Sequence, residues 1–374
     1  MANFFTNLFK KQSPSVIGLD IGTSSIKLVQ LSRKSGRAVL ETYGELSLGP
    51  YAHGSIGEAT NLPLNKVVEA INDLLVEKEV NITTRICGIA IPFSSSLVSV
   101  IDFPMVSAKE LANMVPLEAR KYVPVPMSEV TIDWSLIPQD KNPESNPNQK
   151  FGPDGKPLPP RLEVLVVALH NGTIEKYKKI ATQSGLQTDF FEIEIFSTMR
   201  SVLDQEITPM MLLDMGAMTT KIYIVEKGIL RASHTINKGS YAVTSALAKS
   251  LGISFTEAEV LKREKGLTNI TDNIGVKDIM TVTIDYIFSE ANRVIIAYEK
   301  KYNKNVSKVV MVGGGSALIG LTEIAKKSFQ TEVVSGDPFS KVITPAFLED
   351  VLKRTGPQFA VAVGLALRKL QEVE

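Results

Sequence analysis

Two stretches half a chain apart share one pattern. Residues 16–31 read VIGLDIGTSSIKLVQL, and residues 211–225 read MLLDMGAMTTKIYIV. Superposing Asp20 on Asp214 sets L-D-x-G on L-D-x-G, Ser25 on Thr219 and Lys27 on Lys221. The offset is 214 − 20 = 194 in a chain of 374 residues. Each stretch is an apolar run ending on aspartate, a turn of small polar residues and a second apolar run, which predicts a strand–turn–strand unit. A chain this long exceeds one core. The repeat therefore predicts two related lobes, each opening on such a hairpin, against the alternative of two unrelated buried hairpins.

The residue types suit a polyphosphate. A carboxylate at a strand tip (Asp20, Asp214) can orient a hydrated Mg²⁺. Gly22, and Gly216 in the second copy, let backbone approach a bulky anion. Thr23, Ser24, Ser25 and Thr219, Thr220 supply hydroxyl and N–H donors. Lys27, on the returning strand, can point back at a terminal phosphate. One copy alone reads as a hairpin with a capping Asp, whereas two facing copies could clamp a ligand from both sides. A third element, KVVMVGGGSALIGL at 308–321, is a buried strand running into Gly313, Gly314, Gly315 and Ser316 and then a helix. Such a turn admits a flat ring or ribose, with the helix N-terminus favouring phosphate. Leu318 stands where a dinucleotide fingerprint wants glycine, and no GxxxxGK[ST] occurs, which sets aside both Rossmann and P-loop readings. Glu259 and Lys262 sit one helical turn apart and by themselves read as a solvated pair.

Strand-like and helix-like patterns alternate throughout, the mark of an α/β fold. LNKVVEAINDLLVEKE is an amphipathic helix, RICGIAIP a buried strand, and a helix is predicted from about Ser107 to Tyr122 with Pro116 kinking it. Residues 138–160 carry seven of the 19 prolines and few apolar groups, predicting a mobile loop between two strands rather than a domain linker.

Composition removes several function classes. Forty-one basic against 40 acidic residues leave a net charge of +1, so no global field favours nucleic acid or an anionic membrane. One cysteine, Cys87, excludes an internal disulfide, and His53, His170 and His234 form no zinc-type spacing. No apolar run approaches the roughly 20 residues of a membrane span, and MANFFTNLFKK lacks signal-peptide architecture. Phe4, Phe5, Leu8 and Phe9 on one helical face read as a short packed helix, with a weak interfacial anchor as the alternative. A cytoplasmic protein is the default.

Together the two hairpins and the Gly-rich turn resemble the phosphate 1, phosphate 2 and adenosine motifs of the actin, Hsp70 and sugar-kinase superfamily. EIEIFSTMRS (192–201) and FAVAVGLAL (359–367) resemble its two connecting motifs at the interdomain hinge. The Glu259–Lys262 spacing is similar to an E-x-x-K pair that contacts the nucleoside in several members. Within that group, VIDFPMVSAKELANMVPLEARKYVPVPMSEVTIDW closely resembles the extra subdomain of the PilM family of type IV pilus assembly proteins, relatives of the division protein FtsA. The chain stops eight residues after Ala366, where FtsA carries a C-terminal amphipathic membrane helix.

The resemblance implies an α/β, actin-like (ribonuclease H-like) two-lobe fold. It divides the chain into an N-terminal segment 1–13 and a first-lobe core of 14–92, 170–205 and 349–374. An inserted subdomain, 93–169, contains the loop. The second-lobe core is 206–232 and 306–348, with a helical subdomain at 233–305. It further implies ATP and Mg²⁺ as cofactors, the ion held through water by Asp20 and Asp214. Glu194, at the start of the first connecting motif, becomes the candidate water-orienting group, with a buried terminus satisfied by backbone donors as the alternative. Ala217 and Met218 replace the usual small pair in the second phosphate loop, so hydrolysis is expected to be slow. The implied role is a cytoplasmic adaptor at the inner membrane that docks the N-terminal peptide of a PilN-like protein in a groove between insertion and first lobe. Contacts with pilus assembly ATPases and self-association stay open. An FtsA- or MreB-like filament former is the alternative, and an active kinase a further one.

Overall fold

The computed structural model describes residues 15–138, 161–204, 207–268 and 274–372. The N-terminal segment 1–13 and nearly all of the loop expected at 138–160 lie outside the described residues.

Two five-stranded sheets have the same construction. In the first, β1 (Val16–Ile21), β2 (Ser25–Lys34) and β3 (Arg37–Ser47) form an antiparallel meander, and β4 (Cys87–Ile91) and β8 (Phe191–Ile193) add in parallel beside β1, giving the order β3-β2-β1-β4-β8. In the second, β9 (Met210–Met215), β10 (Thr220–Glu226) and β11 (Ile229–Ile236) repeat the meander. There β12 (Lys308–Val312) and β13 (Glu332–Ser335) repeat the parallel additions, in the order β11-β10-β9-β12-β13. The 194-residue repeat is thus a repeat of whole sheets.

The central strands are apolar without interruption because both faces are covered. On the first sheet, Ile17, Leu19 and Leu28 pack against α1 (Leu64–Val76) and α3 (Asn171–Gln183), while Val16, Val29 and Leu31 face α10 (Ala360–Glu372). On the second sheet the alternation along β9 divides the work. Met211, Leu213 and Met215 meet the helical layer of α5 (Ser240–Leu251), α7 (Ile274–Tyr302) and α8 (Leu321–Ser328). Between α5 and α7 runs α6 (Phe255–Lys265), opened by a Ser254–Glu257 capping box. Met210 and Leu212 face α4 (Glu194–Val202). A short helix, α9 (Glu349–Thr355), leads into α10. A division placed at residue 233 falls inside β11, since the helical layer begins only at Ser240.

The insertion is a separate antiparallel sheet, β5 (Ser96–Pro104), β7 (Arg161–His170) and β6 (Val130–Leu136) in that spatial order, with α2 (Ala108–Ala119) on one face. Ser107 and Glu110 form a capping box at the start of α2, and Leu111, Val115 and Ala119, one turn apart, bury against Ile101, Phe103, Val164 and Val166. The helix runs through Pro116 and ends three residues later, short of the expected Tyr122. The insertion also reaches the second lobe. Phe93, Val98, Val167 and Leu169 pack against Leu212, Tyr223 and Val225, and Arg231 of β11 pairs with Glu163 of β7 at 2.5 Å.

Candidate functional site

The two hairpins match in register as well as in sequence. Asp20 lies opposite Lys27 across β1 and β2, and Asp214 opposite Lys221 across β9 and β10. Each turn closes on the same bond, from the Gly22 N–H to the Ser25 carbonyl and from the Gly216 N–H to the Thr219 carbonyl, both at 3.0 Å. The hairpins and the Gly313–Gly315 turn line a single cavity of about 810 Å³.

The cavity floor is charged. Lys27 Nζ donates to Ser25 Oγ at 2.7 Å and lies 3.4 Å from Glu45. Lys221 Nζ lies 2.6 Å from Glu194 Oε1 and 3.7 Å from Asp214 Oδ2. The same Glu194 oxygen accepts the Phe93 N–H at 2.6 Å. Four carboxylates, Asp20, Glu45, Glu194 and Asp214, thus face the two ammonium groups of Lys27 and Lys221. Burial pushes the Asp20 carboxyl up to about 6; Lys27 and Lys221 oppose the shift, and Glu194 and Asp214 reinforce it. Asp214 rises for the same reason, burial, with Lys221 opposing and Glu194 adding. Burial works against the Lys221 charge, yet Glu194 and Asp214 outweigh it and hold this amine above its ordinary range.

This floor fits a polyphosphate with a hydrated dication. Its excess of desolvated negative charge is what a cation relieves. No group of three or more ligating side chains that could hold a metal directly occurs among the described residues. Asp20 and Asp214 are the residues that would face a hydrated ion such as Mg²⁺. Gly313 adds a steric test. Its φ is +84°, and a Cβ there would lie 2.6 Å from the Met215 carbonyl oxygen, so only glycine keeps the turn this close to the second hairpin.

Most residues singled out in the sequence meet here. Asp20, Gly22, Thr23, Ser24, Ser25, Lys27, Glu194, Asp214, Gly216, Thr219, Glu259, Lys262 and Gly313 to Gly315 all line the cavity. Thr220 and Ser316 do not. Strand alternation turns Thr220 inward, where its hydroxyl donates to the Lys238 carbonyl at 2.9 Å, and Ser316 Oγ folds back on the Gly313 carbonyl at 2.7 Å. The Gly-rich turn winds into one 3₁₀ turn over Gly314–Ala317, and α8 begins only at Leu321, so the glycines are not a helix N-terminus. Glu259 and Lys262 form a buried pair at 2.7 Å instead of a solvated one, with Thr244 bonded to both and Arg263 to Glu259. Burial acts first on each of the two, but Lys262, Thr244 and Arg263 hold Glu259 below its usual range, whereas for Lys262 desolvation prevails over the Glu259 charge and lowers it.

Sequence reasoning passed over Lys221 as a site residue, although the repeat had paired it with Lys27. It also missed Thr60, Ser240, Arg263 and Gln358, which line the cavity from loops and helices that carry no local pattern.

The sequence model of the family described as "Type IV pilus assembly protein PilM" matches residues 18–370. The chain belongs to the PilM family. Among solved structures, one titled a PilM-PilN type IV pilus biogenesis complex superposes with a TM-score of 0.76 at 21% identity, covering 95% of this chain and 98% of that one. An ethanolamine utilization protein EutJ from Carboxydothermus hydrogenoformans follows at 0.53 and 17% identity, over 95% of this chain and 89% of its own. Cell division protein FtsA of Neisseria meningitidis is 23% identical over 383 residues, 95% of this chain and 90% of FtsA. The actin-like two-lobe fold of the PilM family is therefore the fold of this chain. No helix among the described residues is long and apolar enough to cross a membrane.

Proposed function

We propose that this PilM-family chain is an ATP-binding cytoplasmic adaptor of a type IV pilus assembly platform, docking the N-terminal peptide of a PilN-like inner-membrane protein. The observation that carries the reading is one cavity faced by both Asp–Lys hairpins and walled on one side by Pro92 and Ser94, the first turn of the insertion. A solved relative whose title pairs PilM with PilN supports the choice of partner. In this reading Asp20 and Asp214 hold hydrated Mg²⁺, Lys27 and Lys221 meet the phosphates, and Gly313 to Gly315 pass beside the adenosine. The insertion offers the dock. Its β6 is an edge strand, and Met105, Leu117, Tyr122 and Leu136 are exposed large apolar side chains around its sheet and helix.

The test has two parts. Mg-ATP at a hundred times its Kd should stabilise the fold by roughly 2.7 kcal/mol, read by thermal unfolding. A labelled peptide of the genomically neighbouring PilN-like protein's first dozen residues should bind saturably, and Leu117→Glu combined with Tyr122→Ala should abolish that binding while the Mg-ATP shift survives. Peptide binding untouched by those substitutions places the dock elsewhere.

A further inference from the structure

The insertion is joined to the phosphate site by one carboxylate. Glu194 Oε1 accepts two hydrogen bonds, from Lys221 Nζ and from the Phe93 N–H, each at 2.6 Å. Lys221 belongs to the second phosphate hairpin, and Phe93 is the first residue of the turn that leads into β5. Two residues along the same face of β10, Tyr223 meets the Phe93 ring edge-on, with centroids 5.1 Å apart. The strand that carries the phosphate-site lysine therefore touches the base of the insertion twice, through Glu194 and through Tyr223. Farther out, Arg231 of β11 and Glu163 of β7 tie the same two sheets together at 2.5 Å.

From this geometry we infer that Glu194 couples occupancy of the cleft to the inserted subdomain. The inference rests on the nucleotide reading above. A polyphosphate competes with Glu194 for the Lys221 ammonium. Once Lys221 turns to phosphate, Glu194 loses its paired cation and faces the negative charge of the phosphates, while the Mg²⁺ of this reading is shared by Asp20 and Asp214. The carboxylate swings from the cleft and its hold on the Phe93 N–H weakens, loosening the first turn of the insertion. Glu194 is a positioning residue in this account, acting through Lys221 on one side and Phe93 on the other. By linkage, a partner that grips the insertion alters nucleotide affinity by the same factor.

Hydrogen–deuterium exchange of the full chain, read by mass spectrometry over the peptide spanning 92–97, is the test. Thermal unfolding in the same samples reports nucleotide binding. Wild type should show several-fold faster exchange there with Mg-ATP than without. Glu194→Gln should exchange faster already without nucleotide and gain little on its addition, whatever its affinity for ATP. Lys221→Met, a second variant should Glu194→Gln fail to fold, removes the cation of Glu194 and should likewise exchange faster at 92–97 without nucleotide; unchanged nucleotide-free exchange there overturns the coupling. A clear thermal shift in wild type with unchanged or slower exchange at 92–97 overturns the coupling and leaves the nucleotide reading standing. Absence of the thermal shift overturns both.

Discussion

Gly364 of α10 crosses Ser197 of α4 so closely that no Cβ fits between the Gly364 backbone and the Ser197 carbonyl. Arg200 closes the crossing by donating to the Gly364 carbonyl at 3.1 Å while holding Glu192 with both Nη atoms. These two helices carry the segments that resemble connecting motifs, and both pack on the second sheet through Ile195, Met199 and Ala360, so backbone contact between them bears on how the lobes meet. Gly364→Val should overpack the crossing and destabilise the fold by about 3 kcal/mol. Urea unfolding checks this: the midpoint should fall, and an unchanged midpoint would show that the helices separate freely.

Asp20 is predicted to trade stability for binding. Its folded value of about 6 exceeds the ordinary 3.8, so between those values the native state keeps a proton that the unfolded chain has released. Stability contributed by this group is therefore full below 3.8, falls as pH rises through the window, and is lost above about 6. The gap corresponds to at most roughly 3 kcal/mol. Asp20→Asn should accordingly raise the melting temperature of the ligand-free protein at pH 7.5. At pH 4 the advantage should nearly vanish, and the Mg-ATP shift should be gone at both values. Wild-type affinity for Mg-ATP should weaken as pH drops below about 6, where the carboxylate protonates.

Gly313 and Gly185 make a matched pair. Both have positive φ, +84° and +64°, but a Cβ on Gly185 meets open space whereas one on Gly313 meets Met215 and Asp214. Alanine at either position carries backbone strain of roughly 1–2 kcal/mol. Only Gly313→Ala should also lose the Mg-ATP stabilisation, measured as the thermal shift at saturating nucleotide. Equal shifts in the two variants would remove the Gly-rich turn from the site.

Turnover of ATP should be slow. Glu194 is the side chain expected to orient a water, yet in the coupling proposed above a bound nucleotide takes Lys221 from it and turns its carboxylate out of the cleft. Positioning for in-line attack is correspondingly poor. A steady-state phosphate-release assay should give a rate below about 1 s⁻¹, the lower end for working kinases. A faster rate that vanishes in Glu194→Ala would make the protein an enzyme first.

The repeat at an offset of 194, L-D-x-G with a lysine seven residues after each aspartate, was enough by itself to announce two like hairpins. Strand periodicity is local, and each hairpin partner lies within about ten residues, so register and turn chemistry were both legible in the sequence. The insertion was legible through the resemblance of residues 100–134 to a family subdomain, and its helix was expected from about Ser107. The Ser107–Glu110 capping box and the burial of Leu111 and Val115 came from the structure. What the chain alone could not show is which side chains alternation turns away, as with Thr220, or which charges end up sharing a partner. Glu194, Lys221 and Phe93 are far apart in sequence, and nothing local in any of them predicts a shared oxygen. Their meeting is decided by how β10, α4 and the first turn of the insertion stack, and that is set by long-range packing of the Leu212, Tyr223 and Val225 face. Tertiary structure likewise placed the insertion against the second lobe as well as the first, because the apolar face of β10 and β11 needs cover and the residues around Val98 and Val167 supply it.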